Sequence, residues 1–205
     1  INSLSLITIS VMLTLAMMAF VMFLRVKQKV ALFCAGYVGL HGLGWAFASG
    51  AVNTIYASPS FNKHYLGIYL FSFAVSCAAA FTYYLFNFDK EKANKLGSAL
   101  KYFTVSAFIC GICSLFMPFY LVFYIAHFLA AVWVMLSLTT GFAMLSLNDF
   151  RAKYFLFGNM LYSLSLVVFV AFHFDLINAT SSEILVLLAL AIDCVCIVLS
   201  LSEWL

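Results

Sequence analysis

Tyr120 to Leu147 reads YLVFYIAHFLAAVWVMLSLTTGFAMLSL, with no lysine, arginine, aspartate or glutamate along its length. A helix needs about 20 apolar residues to cross the roughly 30 Å hydrocarbon core of a bilayer, so this stretch reads as a transmembrane helix. Transmembrane barrel strands would appear as short alternating segments broken by turn residues, and this run has neither feature. Upstream, 101–117 is also apolar and ends at Met117-Pro118. Read as one helix, 101–147 would be far too long for a single span. Pro118 therefore marks a tight turn between a short fourth span and the fifth.

Working outward, the same criterion marks seven spans, near 3–25, 30–53, 65–87, 101–117, 120–147, 154–174 and 183–204. In lipid every backbone polar group must be bonded internally, so such runs fold as helices. The expected architecture is all-α, a polytopic membrane protein whose single domain, 1–205, is a seven-helix bundle. Composition agrees: 66% of the residues are hydrophobic and 8% charged. Soluble domains carry about 45–50% apolar and about 25% charged residues. Almost nothing is left over for a water-soluble catalytic domain. The first run has no basic residue ahead of it and no small-residue cleavage site after it, so it reads as a span and not a signal peptide. The chain opens at Ile1, without an initiator Met, and closes at Leu205 inside an apolar run, as expected of a trimmed chain, a processed protein or a fragment of something longer.

The loops set the orientation. Arg25, Lys27 and Lys29 follow span one, Lys90, Lys92, Lys95 and Lys101 follow span three, and Arg151 and Lys153 follow span five. Nine of the ten basic residues thus share one side, with Lys63 alone on the other. Short loops rich in lysine and arginine stay in the cytoplasm, so the N-terminus is expected outside and the C-terminus inside. Tyr56, Tyr65, Tyr120, Tyr154 and Trp204 fall near span ends, where interfacial aromatics anchor. Gly42, Ala46 and Gly50 on span two form a ladder of small residues, as do Ser72, Ser76 and Ala80 on span three. Both are expected to be seams of close helix packing; dimerisation through one of them is the alternative.

Ionisable groups at membrane depth are rare and mark function by default. Asp193 lies about halfway along span seven. His41 lies near the middle of span two, His127 in the outer half of span five, and Asn159 in the inner third of span six. His173 and Asp175 sit at the outer end of span six, close to water. Asp193 should face the bundle interior, paired with His41 or with a tyrosine or serine. It serves either as a ligand contact, proton site or switch, or as a satisfied carboxylate that pins helix packing. The expected ligand pocket lies in the outer half among spans two, five, six and seven. His41, His127 and Asp193 would give its polar contacts, and Tyr124 and Trp133 its aromatic lining. Tyr124 and His127 are three apart and share a helix face.

Other chemistries find little to work with. No HxxxH, HExxH or paired Cys/His spacing suggests zinc, no serine sits in a GxSxG turn, and no glycine-rich phosphate loop is present. Neither a catalytic residue, a metal nor a cofactor is expected. The six cysteines all lie in apolar runs, and Cys110-Gly-Ile-Cys113 reads as packing residues in a span and not as a redox pair. The Asn178-Ala-Thr180 sequon falls on the outer side and matters only in a glycosylating cell. No arginine ladder marks a voltage sensor, and no inverted repeat or matched pair of broken helices marks a transporter.

The stretch Asp149-Phe-Arg-Ala-Lys-Tyr-Phe-Leu-Phe-Gly resembles the junction between the fifth and sixth helices of bacterial seven-helix receptors with diverse intracellular signalling modules. In that family a basic pair with an alanine precedes an aromatic-rich sixth helix, as Arg151, Ala152 and Lys153 do here. Ala189-Leu-Ala-Ile and Val198-Leu-Ser-Leu-Ser are similar to the family's closing helix, and Phe81-Thr-Tyr-Tyr-Leu-Phe-Asn-Phe to the end of its third. The resemblance implies a signal-transducing membrane domain, normally followed by a coiled coil and a cyclase or kinase module and preceded by a periplasmic sensory domain. It transfers no catalytic residue.

The expected function is therefore a sensory domain in a bacterial inner membrane. It would couple a small-molecule or protein ligand on the outer face to a cytoplasmic output module beyond this chain. The expected partners are the lipid bilayer, that ligand, and a second copy or another membrane subunit, with no nucleic acid. Two alternatives stand beside it: a small transporter or channel with Asp193 as its ion or proton site, and a structural subunit of a larger membrane complex.

Overall fold

The computed structural model describes residues 3–48, 66–88, 95–173 and 182–204. Among them are seven helices and no strand: α1 (Ser3–Val26), α2 (Lys29–Ala48), α3 (Leu66–Leu85), α4 (Lys95–Ser114), α5 (Phe119–Ser146), α6 (Arg151–His173) and α7 (Ser182–Trp204). Six stretches are long and apolar enough to cross a membrane: α1, α2, α3, α4, α5 and, in α7, Ile184–Trp204. α6 has 23 residues, about 35 Å at 1.5 Å per residue. The chain is a multi-pass integral membrane protein. Gly50, Tyr56, Lys63, Tyr65, Lys90, Lys92, Asp175 and the Asn178 sequon lie outside the described residues.

Local chemistry explains the helix ends. Pro118 precedes α5 in an extended conformation, φ −67° and ψ 148°, which suits a residue with no N–H to offer the first turn. The other ends of α1, α3 and α5 all close on a left-handed residue: Lys27 (φ 59°), Asn87 (φ 56°) and Asn148 (φ 59°). At Asn87 the amide of Phe88 donates to the Tyr83 carbonyl at 3.1 Å and that of Asn87 to Tyr84 at 3.2 Å. At Asn148 the same pattern joins Asp149 to Met144 and Asn148 to Leu145. These paired bonds satisfy carbonyls that a helix end leaves open. Asparagine tolerates the left-handed region far better than lysine does.

Consecutive helices pack as neighbours, and α1 against α7 closes the ring. α3 touches α2, α4, α5 and α7, and α7 touches α1, α2, α3 and α6. α1 turns Ile7, Val11, Met17, Met18, Val21 and Leu24 outward, as a lipid-facing surface should. Both small-residue ladders face inward where they are described. Gly42 lies against α1, where an added Cβ would stand 3.3 Å from Met12 Cβ and Leu13 Cδ2. Ser72, Ser76 and Ala80 are buried, and Ser76 Oγ donates to the Thr104 carbonyl of α4 at 2.8 Å.

One end of the bundle gathers the basic residues. Arg25, Lys27, Lys29, Lys95, Lys101 and Lys153 are exposed there, around a knot formed by Arg151. Its Nε and Nη2 donate to Asp149 Oδ1 and Oδ2 at 2.9 and 2.5 Å. Its Nη1 donates to the carbonyl of Leu85, the last residue of α3, and its guanidinium stands 5.8 Å from the Phe86 ring. Asp149 Oδ1 also accepts the Arg151 backbone N–H at 3.0 Å, capping the first turn of α6. Lys29 Nζ stands 5.6 Å from the Tyr84 ring, bringing the start of α2 to the same end.

Candidate functional site

Midway through the bundle, α7 carries a carboxyl that is entirely shielded. Asp193 has 0% exposure, and its Oδ2 accepts the Tyr37 phenol of α2 at 2.5 Å. Asp193 Oδ1 has no hydrogen-bond partner. Desolvating an acceptor without a partner costs about 1–3 kcal/mol, so this position is held by its surroundings. Among the described residues no lysine or arginine pairs with it; the ion pair there is Asp149–Arg151.

α6 makes the room that the carboxyl occupies. Gly158 faces it, and a Cβ there would stand 2.6 Å from Asp193 Oδ1, 2.9 Å from Cys196 Cβ and 3.0 Å from Asp193 Cα. The two helices therefore cross with backbone nearly in contact, as small residues permit in membranes.

One helical turn beyond Tyr37, His41 extends the cluster. Its Nδ1 lies 3.2 Å from the Tyr37 carbonyl, and its Nε2 lies 3.4 Å from the phenol of Tyr162 on α6. The His41 ring stands edge-on to Tyr37 (4.7 Å), Phe71 (5.7 Å) and Tyr162 (5.9 Å). Asp193, Tyr37, His41 and Tyr162 thus link α7, α2 and α6 through buried polar groups, with Phe71 of α3 as an apolar wall. Asn159, also buried, donates to its own helix at the Phe155 carbonyl, 3.0 Å away.

Of the residues singled out from sequence, Asp193 and His41 come together, joined through Tyr37 and not bonded to each other. The remaining three stand apart. Tyr124 is 64% exposed on the outer surface of α5. His127 is half-buried, its Nδ1 2.8 Å from the Phe123 carbonyl and its ring 4.1 Å from Phe123. Trp133 is buried and stacks on Phe103 of α4 at 6.2 Å, with Nε1 unpartnered. α5 packs on α3, α4 and α6, which keeps these three on the other side of the bundle from α2. Cys110 is partly buried and packed against the core, whereas Cys113 is exposed. Among the described residues no three His, Cys, Asp or Glu side chains gather as a metal site would require.

Sequence reading passed over Tyr37, Tyr162 and Gly158. The i, i+4 spacing of Tyr37 with His41, and of Gly158 with Tyr162, was the available signal, since such pairs share a helix face.

A ring of apolar helices encloses one shielded carboxyl and a polar cluster that spans three of them, which defines a polytopic membrane domain with a polar seam at mid-membrane. The family model described as 7TM diverse intracellular signalling matches residues 1–204, and the chain belongs to that family. No curated protein and no solved structure matches it.

Proposed function

We propose that this chain is a seven-span sensory transducer domain of a bacterial inner membrane, with its N-terminus outside and α7 leading into the cytoplasm. A ligand or protein partner on the outer face biases two arrangements of the bundle, and α7 carries the difference to an output module encoded beyond residue 205. The observation that carries this reading is the Asp193–Tyr37 bond. It ties the helix nearest the C-terminus to α2 at mid-membrane through a carboxyl with one oxygen still unpartnered. A ligand moves such an equilibrium only through different affinities for the two states, and a half-satisfied buried polar contact is where two packings differ cheaply. The basic rim at the ends of α1, α3 and α5 supports the orientation, and 1–205 acts as one domain without catalytic residues. His41 and Asp193 are the polar contacts nearest the moving interface. Tyr124 and His127 belong to a second face that a ligand or another membrane subunit would meet, while Trp133 of the same helix is buried against Phe103.

The test begins with the native open reading frame on both sides of this segment. A heptad-patterned helix after residue 205, leading into a cyclase or kinase domain, supports the proposal. Asp193→Asn in that full-length protein should then change basal output. A frame ending near residue 205, with no signalling partner, removes the reading. The unpartnered oxygen also favours one rival, a proton or cation pathway, which predicts flux into liposomes abolished by Asp193→Asn.

A further inference from the structure

Two helical turns after Asp193, on the same face of α7, Ser200 makes a contact that the polar cluster does not use. Its single hydroxyl hydrogen faces two acceptors: the Cys196 carbonyl of its own helix at 3.0 Å and the Arg151 carbonyl of α6 at 3.2 Å. A serine hydroxyl donates once, so these two bonds compete. On the other side of the same residue, all three nitrogens of the Arg151 side chain donate hydrogen bonds. They reach Asp149 and the end of α3 through charge-assisted bonds.

We propose that Ser200 is a releasable latch between α7 and a fixed clamp of α3, the α5–α6 turn and α6. In the latched state the hydroxyl is shared between the Arg151 and Cys196 carbonyls, as observed, and in the released state it bonds only Cys196. Release strands no polar group in the membrane, because Ser200 keeps its own-helix acceptor and the Arg151 carbonyl keeps its intrahelical donor. Opening the clamp instead would break the charge-assisted bond from Arg151 to the end of α3, a kind of bond roughly twice as strong as a neutral one. Motion therefore goes into α7, while α3 and α6 stay together. Because Asp193 and Ser200 ride on one rigid helix, a shift at the mid-membrane carboxyl moves the hydroxyl against Arg151. As the route to an output, the latch rests on the sensory reading above; as a property of the bundle it does not.

The test is the distance between spin labels at two exposed positions, Lys153→Cys on α6 and Ser202→Cys on α7. It is measured by electron double resonance in the full-length protein in lipid nanodiscs, with Cys77, Cys110 and Cys113 replaced. Ser200→Ala should enlarge the minor, longer-distance population about two-fold, because only the Arg151 arm of a shared bond differs between the two states and it is worth the low end of a neutral hydrogen bond. Ser200→Thr, which keeps the hydroxyl, should restore the native distribution. Arg151→Lys removes the fork but leaves the carbonyl, so it should leave the 153–202 distribution unchanged. An unchanged distribution in Ser200→Ala, or the same broadening in Arg151→Lys, overturns the latch. If Ser200→Ala broadens the distribution while the output of the full-length protein stays constant, the latch stands and the sensory reading falls.

Discussion

Replacing Gly158 by alanine sets two effects of known size against each other. Alanine is the better helix former by about 0.8–1.0 kcal/mol, so propensity alone predicts a gain. The structure predicts a loss. The new Cβ would fall 2.6 Å from Asp193 Oδ1, 2.9 Å from Cys196 Cβ and 3.0 Å from Asp193 Cα. Ordinary carbon contacts lie at about 3.5–4.0 Å, and two of the three obstacles are a Cβ and a backbone atom, neither of which can swing aside. The crossing of α6 and α7 must open, or the Asp193 carboxyl must leave Tyr37. Overpacking of this kind costs about 1–3 kcal/mol. The net effect of Gly158→Ala should be a loss of up to about 2 kcal/mol, obtained by subtracting the propensity gain. Gly39→Ala is the matched control. Its nearest obstacle is Ala16 Cβ at 3.4 Å, so propensity should win there, with a gain of up to about 1 kcal/mol. Reversible unfolding in mixed detergent micelles, followed by circular dichroism, reads both variants. If Gly158→Ala is as stable as Gly39→Ala, the close α6–α7 crossing is wrong, and with it the placement of Asp193.

Three further outcomes follow from named contacts. Tyr37→Phe leaves both Asp193 oxygens unpartnered and should destabilise the bundle by about 1–3 kcal/mol; combined with Asp193→Asn, the two effects should be clearly non-additive in a double-mutant cycle. Lys27→Gly relieves a left-handed lysine and should raise stability by up to about 1 kcal/mol, seen as a higher midpoint in thermal unfolding. Trp133→Ala should cost about 3–5 kcal/mol, whereas Tyr124→Ala, at an exposed site, should change stability by about 0.5 kcal/mol or less; equal losses in a thermal-shift assay would show that Trp133 is not the buried member of the pair.

By itself the sequence determined the solvent. Runs such as 120–147 admit only a helix in lipid, because an apolar stretch without charges has no other way to satisfy its backbone. Pro118 divided α4 from α5 for the same local reason, and the ladders at Gly42 and Ser76 announced inward faces. Several boundaries moved by a few residues, most of all the start of α4, which begins at Lys95, ahead of the apolar run at 101, since a polar first turn can extend a helix into the headgroup region where hydropathy gives no signal. The polar cluster was half legible. Asp193 and His41 stand out because charge and imidazole are rare at that depth. Their connection through Tyr37, the space made by Gly158 and the knot of Arg151 with the end of α3 depend on which helices are neighbours. Hydropathy measures how each residue meets lipid and carries no term for which helix stands beside it. The tertiary structure alone decided that α2, α6 and α7 share a polar seam, while Tyr124, His127 and Trp133 lie across the bundle on α5.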